Sequence, residues 1–260
     1  MIKFVYVTAR LLLFLSFAVA FAVRGFLIHI TVKDPKKRKI KFAQIQYWID
    51  RLCCKSFGLN IQVKNAPPHG TPGLLIGNHM GFLDIIGIGS TRPVLFVTSQ
   101  EMRETPFLGL LTEMGGCIFV ERRNRAASRH ELHNIIETLQ SGLNVCLFPE
   151  AVSHDGSVVL PFKRTLMSAA AYAQVPIYPY VFNFKTINGE VFSIKNRDQV
   201  CWYGDTPFLK SLLYALSIRK IECEIKYLDP FYPTLDMERA FVADEMHRRI
   251  SAEFRPFVNS

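Results

Sequence analysis

The apolar positions of this chain fall into runs whose spacing predicts most of its elements. Residues 4–23 are apolar apart from Thr8, Arg10 and Ser16, and as a helix they would be about 30 Å long, the thickness of a bilayer's hydrocarbon core. Residues 25–32 carry the apolar character into a candidate second segment. Phe42, Ile45, Trp48, Ile49, Leu52 and Phe57 then recur at near-helical spacing, an amphipathic helix read first as core packing and second as a membrane-facing lip. Beyond it the pattern shortens. Strands are predicted at 59–63, 73–76, 94–98, 117–120, 144–148, 177–184 and 221–228, and helices near 107–113, 126–140, 165–173, 207–217 and 235–253. Pro67, Pro68, Gly70, Pro72 and Gly73 make a turn before the second strand. Strands alternating with helices imply an α/β domain with a largely parallel sheet flanked by helices, preceded by an N-terminal membrane-anchoring helical segment.

Charge refines the reading of the first segment. Lys3 and Arg10 precede or interrupt it, whereas Arg24, Lys33, Lys36, Lys37, Arg38, Lys39 and Lys41 follow. Positive residues mark the cytoplasmic side, so the main domain is expected to face the cytoplasm from the inner membrane. The basic segment attracts anionic lipid, and Asp34-Pro35 also reads as a solvated linker. Arg10 could snorkel, or permit a half-inserted helix, so spanning and monotopic anchors both remain open. A signal peptide cleaved near Ala18-Val19-Ala20 ranks below an anchor. The net charge of +9 would also suit nucleic acid, but no recognition motif or aromatic platform accompanies it. The six cysteines lack CxxC spacing and sit mostly among apolar residues, as reduced, buried thiols do. His130 and His133 share a helix without an apparent third ligand, so no metal site is expected.

The candidate chemistry lies at Gly77-Asn78-His79-Met80-Gly81-Phe82-Leu83-Asp84. Five helical steps would leave His79 and Asp84 roughly 140° apart, so the pair needs a break between them. Gly81 can supply it: His79 closes the strand, residues 80–82 turn, and Asp84 enters the first turn of a helix. There Asp84 gains from the helix dipole and can reach one imidazole nitrogen, leaving the other free to take a proton. This is the histidine–aspartate half of a triad with no serine beside it, and a substrate hydroxyl would be the nucleophile. His154-Asp155 is a rival pair, discounted because adjacent side chains in a turn usually diverge.

Four stretches, in order, resemble the lysophosphatidic acid acyltransferase family of glycerolipid acyltransferases. Asn78, His79 and Asp84 match its NHxxxxD block. Gly116-Cys117-Ile118-Phe119-Val120-Glu121-Arg122 matches its GxIFxxR-type block, Phe148-Pro149-Glu150 the start of FPEGT, and Val175-Pro176-Ile177-Tyr178-Pro179 its VPIxP block. The resemblance implies catalysis by His79 and Asp84, with Asn78, Arg122 and Glu150 in substrate binding, Glu150 contacting acceptor hydroxyls or holding an arginine or lysine. It implies transfer of a fatty acyl chain from acyl carrier protein or coenzyme A thioester to the hydroxyl of a lyso-lipid such as 1-acyl-glycerol-3-phosphate at the bilayer. The thioester is a co-substrate and no cofactor is expected. Residues 1–32 are read as anchor, 33–62 as basic linker and amphipathic helix, and 63–260 as the acyltransferase domain.

The chain departs from the family where Gly-Thr-Arg usually follows the glutamate. Ala151-Val152-Ser153 puts a methyl group where the backbone could need positive φ or close approach, and removes a cation that would pair with an acceptor phosphate. Lys163 or Arg164 could replace that charge. Ser153-His154-Asp155-Gly156, the 159–163 stretch and Trp202-Tyr203-Gly204-Asp205 look more like the lyso-ornithine-lipid acyltransferase branch. A lyso-ornithine-lipid acceptor and a catalytically inactive lipid-binding protein are therefore the two alternatives.

Overall fold

The structure is a computed structural model that describes residues 2–121 and 127–259. Its first helix, α1, runs unbroken over Ile2–Thr31, so residues 25–32 continue the first segment rather than form a second. Gly25 acts there as a packing residue and not as a breaker: a Cβ would meet the Met114 carbonyl oxygen at 2.3 Å. The expected linker is also helical. Asp34 caps α2 (Pro35–Phe57) by accepting from the Lys37 N–H at 2.8 Å, and Pro35 stands at the first helical position, where a missing N–H costs nothing. Gly58, at φ 63°, ends the helix.

There follow β1 (Leu59–Lys64), β2 (Leu74–Gly77), α3 (Phe82–Gly89), β3 (Val94–Ser99), α4 (Gln100–Arg103), α5 (Leu108–Met114), β4 (Ile118–Val120), α6 (Ala127–Gln140) and β5 (Asn144–Leu147). A short 3₁₀ turn, Leu166–Ser168, leads into α7 (Ala169–Ala173), then β6 (Ile177–Ile187), β7 (Glu190–Val191), α8 (Phe208–Ser217), β8 (Ile221–Tyr227) and α9 (Arg239–Glu253). The strands form one sheet in the order β1-β8-β6-β2-β5-β3-β4, with β7 added beside β6. Pairing is parallel except where β6 meets β7 and β8. The α/β architecture expected from the sequence is therefore the observed one. β1 pairs with β8 along its whole length, from Leu59 against Ile221 to Lys64 against Lys226.

Alternation along the strands decides which side chains meet which helices. Leu74 and Ile76 of β2, with Val145 and Leu147 of β5, pack on α6, α7 and α9. Leu75 and Cys146 turn to the opposite face, against α2, α3 and α8. The same alternation carried past the end of β2 turns His79 toward this second face. Helix α1 lies on that side through the stripe Phe14, Ala18 and Phe21, whereas Phe4, Leu12, Val19, Val23, Phe26 and Ile30 are exposed. It is the one described helix long and apolar enough to cross a membrane. Arg10 does not snorkel: its guanidinium donates to the carbonyls of Leu216 and Ile218 at the end of α8 and lies over the Tyr6 ring.

Candidate active site

The strand–turn–helix geometry expected at residues 77–84 is observed. β2 ends at Gly77, Gly81 precedes α3, and Asp84 occupies the third position of the helix. Gly81 has φ 151° and lies against the Trp202 backbone, where a Cβ would approach the nitrogen to 2.8 Å. His79 Nδ1 sits 3.0 Å from Asp84 Oδ1 and 3.3 Å from Oδ2. Asp84 Oδ2 also accepts from the N–H of Met80 at 2.5 Å and of Gly81 at 3.0 Å. The carboxylate is 1 % exposed and surrounded by donors, at a helix N-terminus that favours negative charge. A carboxylate accepting at Nδ1 requires the proton there, so the lone pair of His79 is on Nε2. No described residue hydrogen-bonds to that nitrogen, and the side chain is 18 % exposed.

Phe148 completes the support from below. Its ring stacks on the imidazole at 4.2 Å between centroids and 22° between planes, and Phe96 stacks on Phe148 in turn. Sequence reasoning named Phe148 only as part of a motif; its place one residue past β5, beside the end of β2, gives it this function. The imidazole can thus accept a proton at Nε2 while Asp84 stabilises the resulting cation. The N–H groups of His79, Met80 and Gly81 are all occupied, so an oxyanion would have to draw on other donors.

Two of the expected substrate-binding residues do other work. Asn78 is fully buried, and its side-chain amide donates to the Phe182 carbonyl at 3.0 Å while its oxygen accepts from the Phe182 N–H at 2.8 Å. It fastens the end of β2 to β6, and its full burial keeps it away from the open side of His79. Glu150 is also buried. Its Oε1 accepts from the His79 N–H at 2.7 Å and its Oε2 from the Leu160 N–H at 2.6 Å. It therefore holds the backbone that carries the histidine, and neither an acceptor hydroxyl nor an arginine or lysine. Lys163 is exposed, with its N–H on the Pro149 carbonyl at 2.8 Å and its ammonium unpaired among the described residues. Arg122 lies outside the described residues.

The departure after Glu150 has a local consequence. Ala151 adopts φ 66°, the left-handed conformation that glycine takes without strain. Ser153 donates to the Trp202 carbonyl, and the His154 N–H donates to the His79 carbonyl at 3.0 Å. His154 and Asp155 diverge. The histidine accepts from the Gly156 N–H at Nδ1 and lies 3.3 Å from Glu150 through Nε2, without hydrogen-bond alignment, whereas Asp155 pairs with Arg197. Burial raises the Asp155 pKa, but the Ser157 hydroxyl and N–H and the Arg197 guanidinium outweigh it and hold the group below the usual carboxylate value. All six cysteines are free, and burial pushes the Cys146 and Cys117 thiols up to about 12, so neither serves as a nucleophile at neutral pH. A cavity of about 790 Å³ opens beside β4 near Lys39, Glu104 and Glu131, and neither His79 nor Asp84 lines it.

The chain is similar to known proteins. The family model described as Acyltransferase matches residues 59–183. The lyso-ornithine lipid O-acyltransferase of Brucella abortus is 27% identical over 232 residues, spanning 86% of this chain and 85% of the relative. The 1-acyl-sn-glycerol-3-phosphate acyltransferase of Neisseria gonorrhoeae is 26% identical over 201 residues, 77% and 76% of the two chains. The crystal structure of the 1-acyl-sn-glycerophosphate acyltransferase PlsC of Thermotoga maritima shares the fold, with TM-score 0.63 at 17% identity, over 96% of this chain and 97% of that one. The NHxxxxD pair, set by a glycine break at the end of a central parallel strand, thus falls within the matched region. Residues 59–183 thus form a domain of the acyltransferase family, and the chain is itself an acyltransferase.

Proposed function

We propose that this acyltransferase moves a fatty acyl group from a thioester donor to the hydroxyl of a lyso-lipid at a membrane surface, with lyso-ornithine lipid as acceptor ahead of 1-acylglycerol-3-phosphate. The observation that carries the chemistry is His79, fixed through Nδ1 on buried Asp84 with Nε2 left open. Nε2 takes the proton of the acceptor hydroxyl as its oxygen attacks the thioester carbonyl. The tetrahedral intermediate collapses by breaking the carbon–sulfur bond, and the imidazolium returns the proton to the departing thiolate. Neither a covalent acyl-enzyme nor a cofactor is needed. Proximity of two bound substrates supplies much of the acceleration.

Ser153 supports the preference among acceptors, since the family's usual arginine at this place would pair with a phosphate and a serine turned to the Trp202 carbonyl does not. Relatives named for lyso-ornithine lipid point the same way. The exposed apolar row of α1 supports membrane association. Arg10 touches the end of α8, and Gly25, about 22 Å further along, touches α5, so the helix follows the domain instead of leading away from it. That favours a helix lying in the interface over one crossing the bilayer, with the domain on the cytoplasmic face of the inner membrane. Acyl carrier protein and coenzyme A are both acidic, and the basic chain suits either as donor.

The test is transfer of a labelled acyl chain from each donor to a panel of lyso-lipids by wild type and His79→Ala. Loss of about 10²–10⁴ in rate is expected of the variant. Equal rates would sink the general-base mechanism, and lyso-lipid binding without transfer by wild type would favour a binding protein.

A further inference from the structure

Beside the dyad lies a cluster of charged groups that the chemistry above does not use. Two loops, residues 151–160 and 193–206, close around the strand end: His154 N–H donates to the His79 carbonyl at 3.0 Å and Trp202 N–H to the Met80 carbonyl at 2.8 Å. Asp155 and Arg197 join these loops through a 2.6 Å ion pair. Asp155 is fully engaged, because its other oxygen accepts the Ser157 N–H and hydroxyl. Arg197 is not. Its plane rests over the Phe257 ring at 4.5 Å, its Nε is buried without a hydrogen-bond acceptor, and its Nη2 donates to no described residue. The nearest further carboxylate oxygen, Asp198 Oδ1, is 3.5 Å from Nε and already accepts the Tyr203 hydroxyl at 2.7 Å. Asp198 Oδ2 has no hydrogen-bond partner among the described residues, and the side chain is 66% exposed.

A guanidinium with donors to spare and a carboxylate with a free oxygen therefore stand side by side, fixed by stacking and by Tyr203. With two carboxylates and one guanidinium the cluster is net negative, which disfavours a phosphate monoester. It fits a zwitterion that offers a carboxylate to the arginine and an ammonium to the aspartate. An ornithine head group has both: a carboxylate, and a side-chain amine that stays free when the chain is attached through the α-nitrogen. We propose that Arg197, Asp198 and Tyr203 form the acceptor's head-group subsite, Arg197 taking the carboxylate and Asp198 the ammonium of an amino-acid lipid. This rests on the acceptor reading above. The two loops that carry the cluster are hydrogen-bonded to the His79 and Met80 carbonyls, so on this proposal a head group held by the loops directs the acceptor hydroxyl toward Nε2. The Tyr203 hydroxyl, whose pKa the hydrogen bond to Asp198 pushes up to about 12, remains a donor through the physiological range.

The test uses full-length enzyme in mixed micelles with three acceptors: lyso-ornithine lipid, the same lipid with its side-chain amine acetylated, and 1-acylglycerol-3-phosphate. Asp198→Asn keeps an acceptor for Tyr203 and, being at an exposed side chain, leaves the fold intact. We expect it to raise KM for lyso-ornithine lipid at least tenfold with kcat within twofold, and to leave KM for the acetylated lipid and for 1-acylglycerol-3-phosphate unchanged or lower. Arg197→Gln should raise KM for both ornithine lipids. If Asp198→Asn changes the free and acetylated lipids equally, or neither, the subsite is overturned while the acceptor reading stands. If wild type does not acylate lyso-ornithine lipid but does acylate 1-acylglycerol-3-phosphate, the acceptor reading fails and takes the subsite with it.

Discussion

Replacing Asp84 with asparagine separates the chemical duty of this residue from its structural one. Asp84 accepts three hydrogen bonds, from the His79 ring and from the N–H groups of Met80 and Gly81. The asparagine oxygen can keep the two backbone donors, so the turn survives with neutral bonds in place of charge-assisted ones. At about 1 kcal/mol each, that loss comes to about 1–2 kcal/mol of stability. The asparagine amide then faces Nδ1 as a donor. The imidazole must turn to the other tautomer, which puts its proton on Nε2 and removes the base from the acceptor hydroxyl. Loss of both general base and imidazolium stabilisation should lower kcat about 10³–10⁴-fold, or roughly 4–5.5 kcal/mol in the barrier. Thiol release from the thioester donor, measured with saturating lyso-lipid, reads the rate, and urea unfolding reads the stability. A kcat within tenfold of wild type would refute the tautomer argument. A stability loss above about 4 kcal/mol would mean that the turn itself had failed.

Three further substitutions test the supporting structure. Ala151→Gly relieves a φ of 66° that costs an L-residue about 1–2 kcal/mol, against about 0.5–1 kcal/mol of extra unfolded-state entropy, so the stability read by urea unfolding should rise by about 0.5–1 kcal/mol; a lower stability would contradict the strain. Asn78→Ala removes both bonds to buried Phe182 and should cost about 2–4 kcal/mol in the same assay while the folded enzyme keeps its acceptor KM; a large KM change without a stability loss would restore Asn78 to substrate binding. Asp50 is buried in α2 with Gln46 as its hydrogen-bond partner, and desolvation raises its pKa well above the usual value despite that bond. Its folded pKa exceeds the unfolded one, so its contribution is most favourable below about pH 4 and is lost by about 1.4 kcal/mol per unit as pH rises toward the folded pKa. Asp50→Asn should therefore flatten stability between pH 4 and 7 and raise it at neutrality; parallel pH profiles for the two proteins would rule this out.

How far the sequence discloses such a site depends on the range of the contacts that build it. His79 and Asp84 are five positions apart, and a strand, a glycine and a helix start between them leave few ways for the two to meet, so their geometry was legible. At Ala151 the family's usual glycine pointed to positive φ or close approach, and the structure shows the former. Glu150 was not legible: its carboxylate meets the His79 backbone across 71 positions, and a motif names the residue without saying which way it turns. Asn78 reaches 104 positions to Phe182, and that contact was not legible either. The linker at Asp34-Pro35 is a different error, since an N-cap aspartate and first-turn proline are local signals outweighed there by the lysines that follow. Gly25 shows the limit of reading glycine as punctuation, for only the approach of Met114 reveals that α1 needs a residue without a side chain. The family blocks thus combine two kinds of residue. On the proposed mechanism His79 presents its open nitrogen to the acceptor, whereas Asn78, Asp84 and Glu150 are buried and fix the strand end that carries it. A polar residue at a strand end, read from sequence, is as apt to hold the catalytic group as to touch the substrate, and burial separates the two.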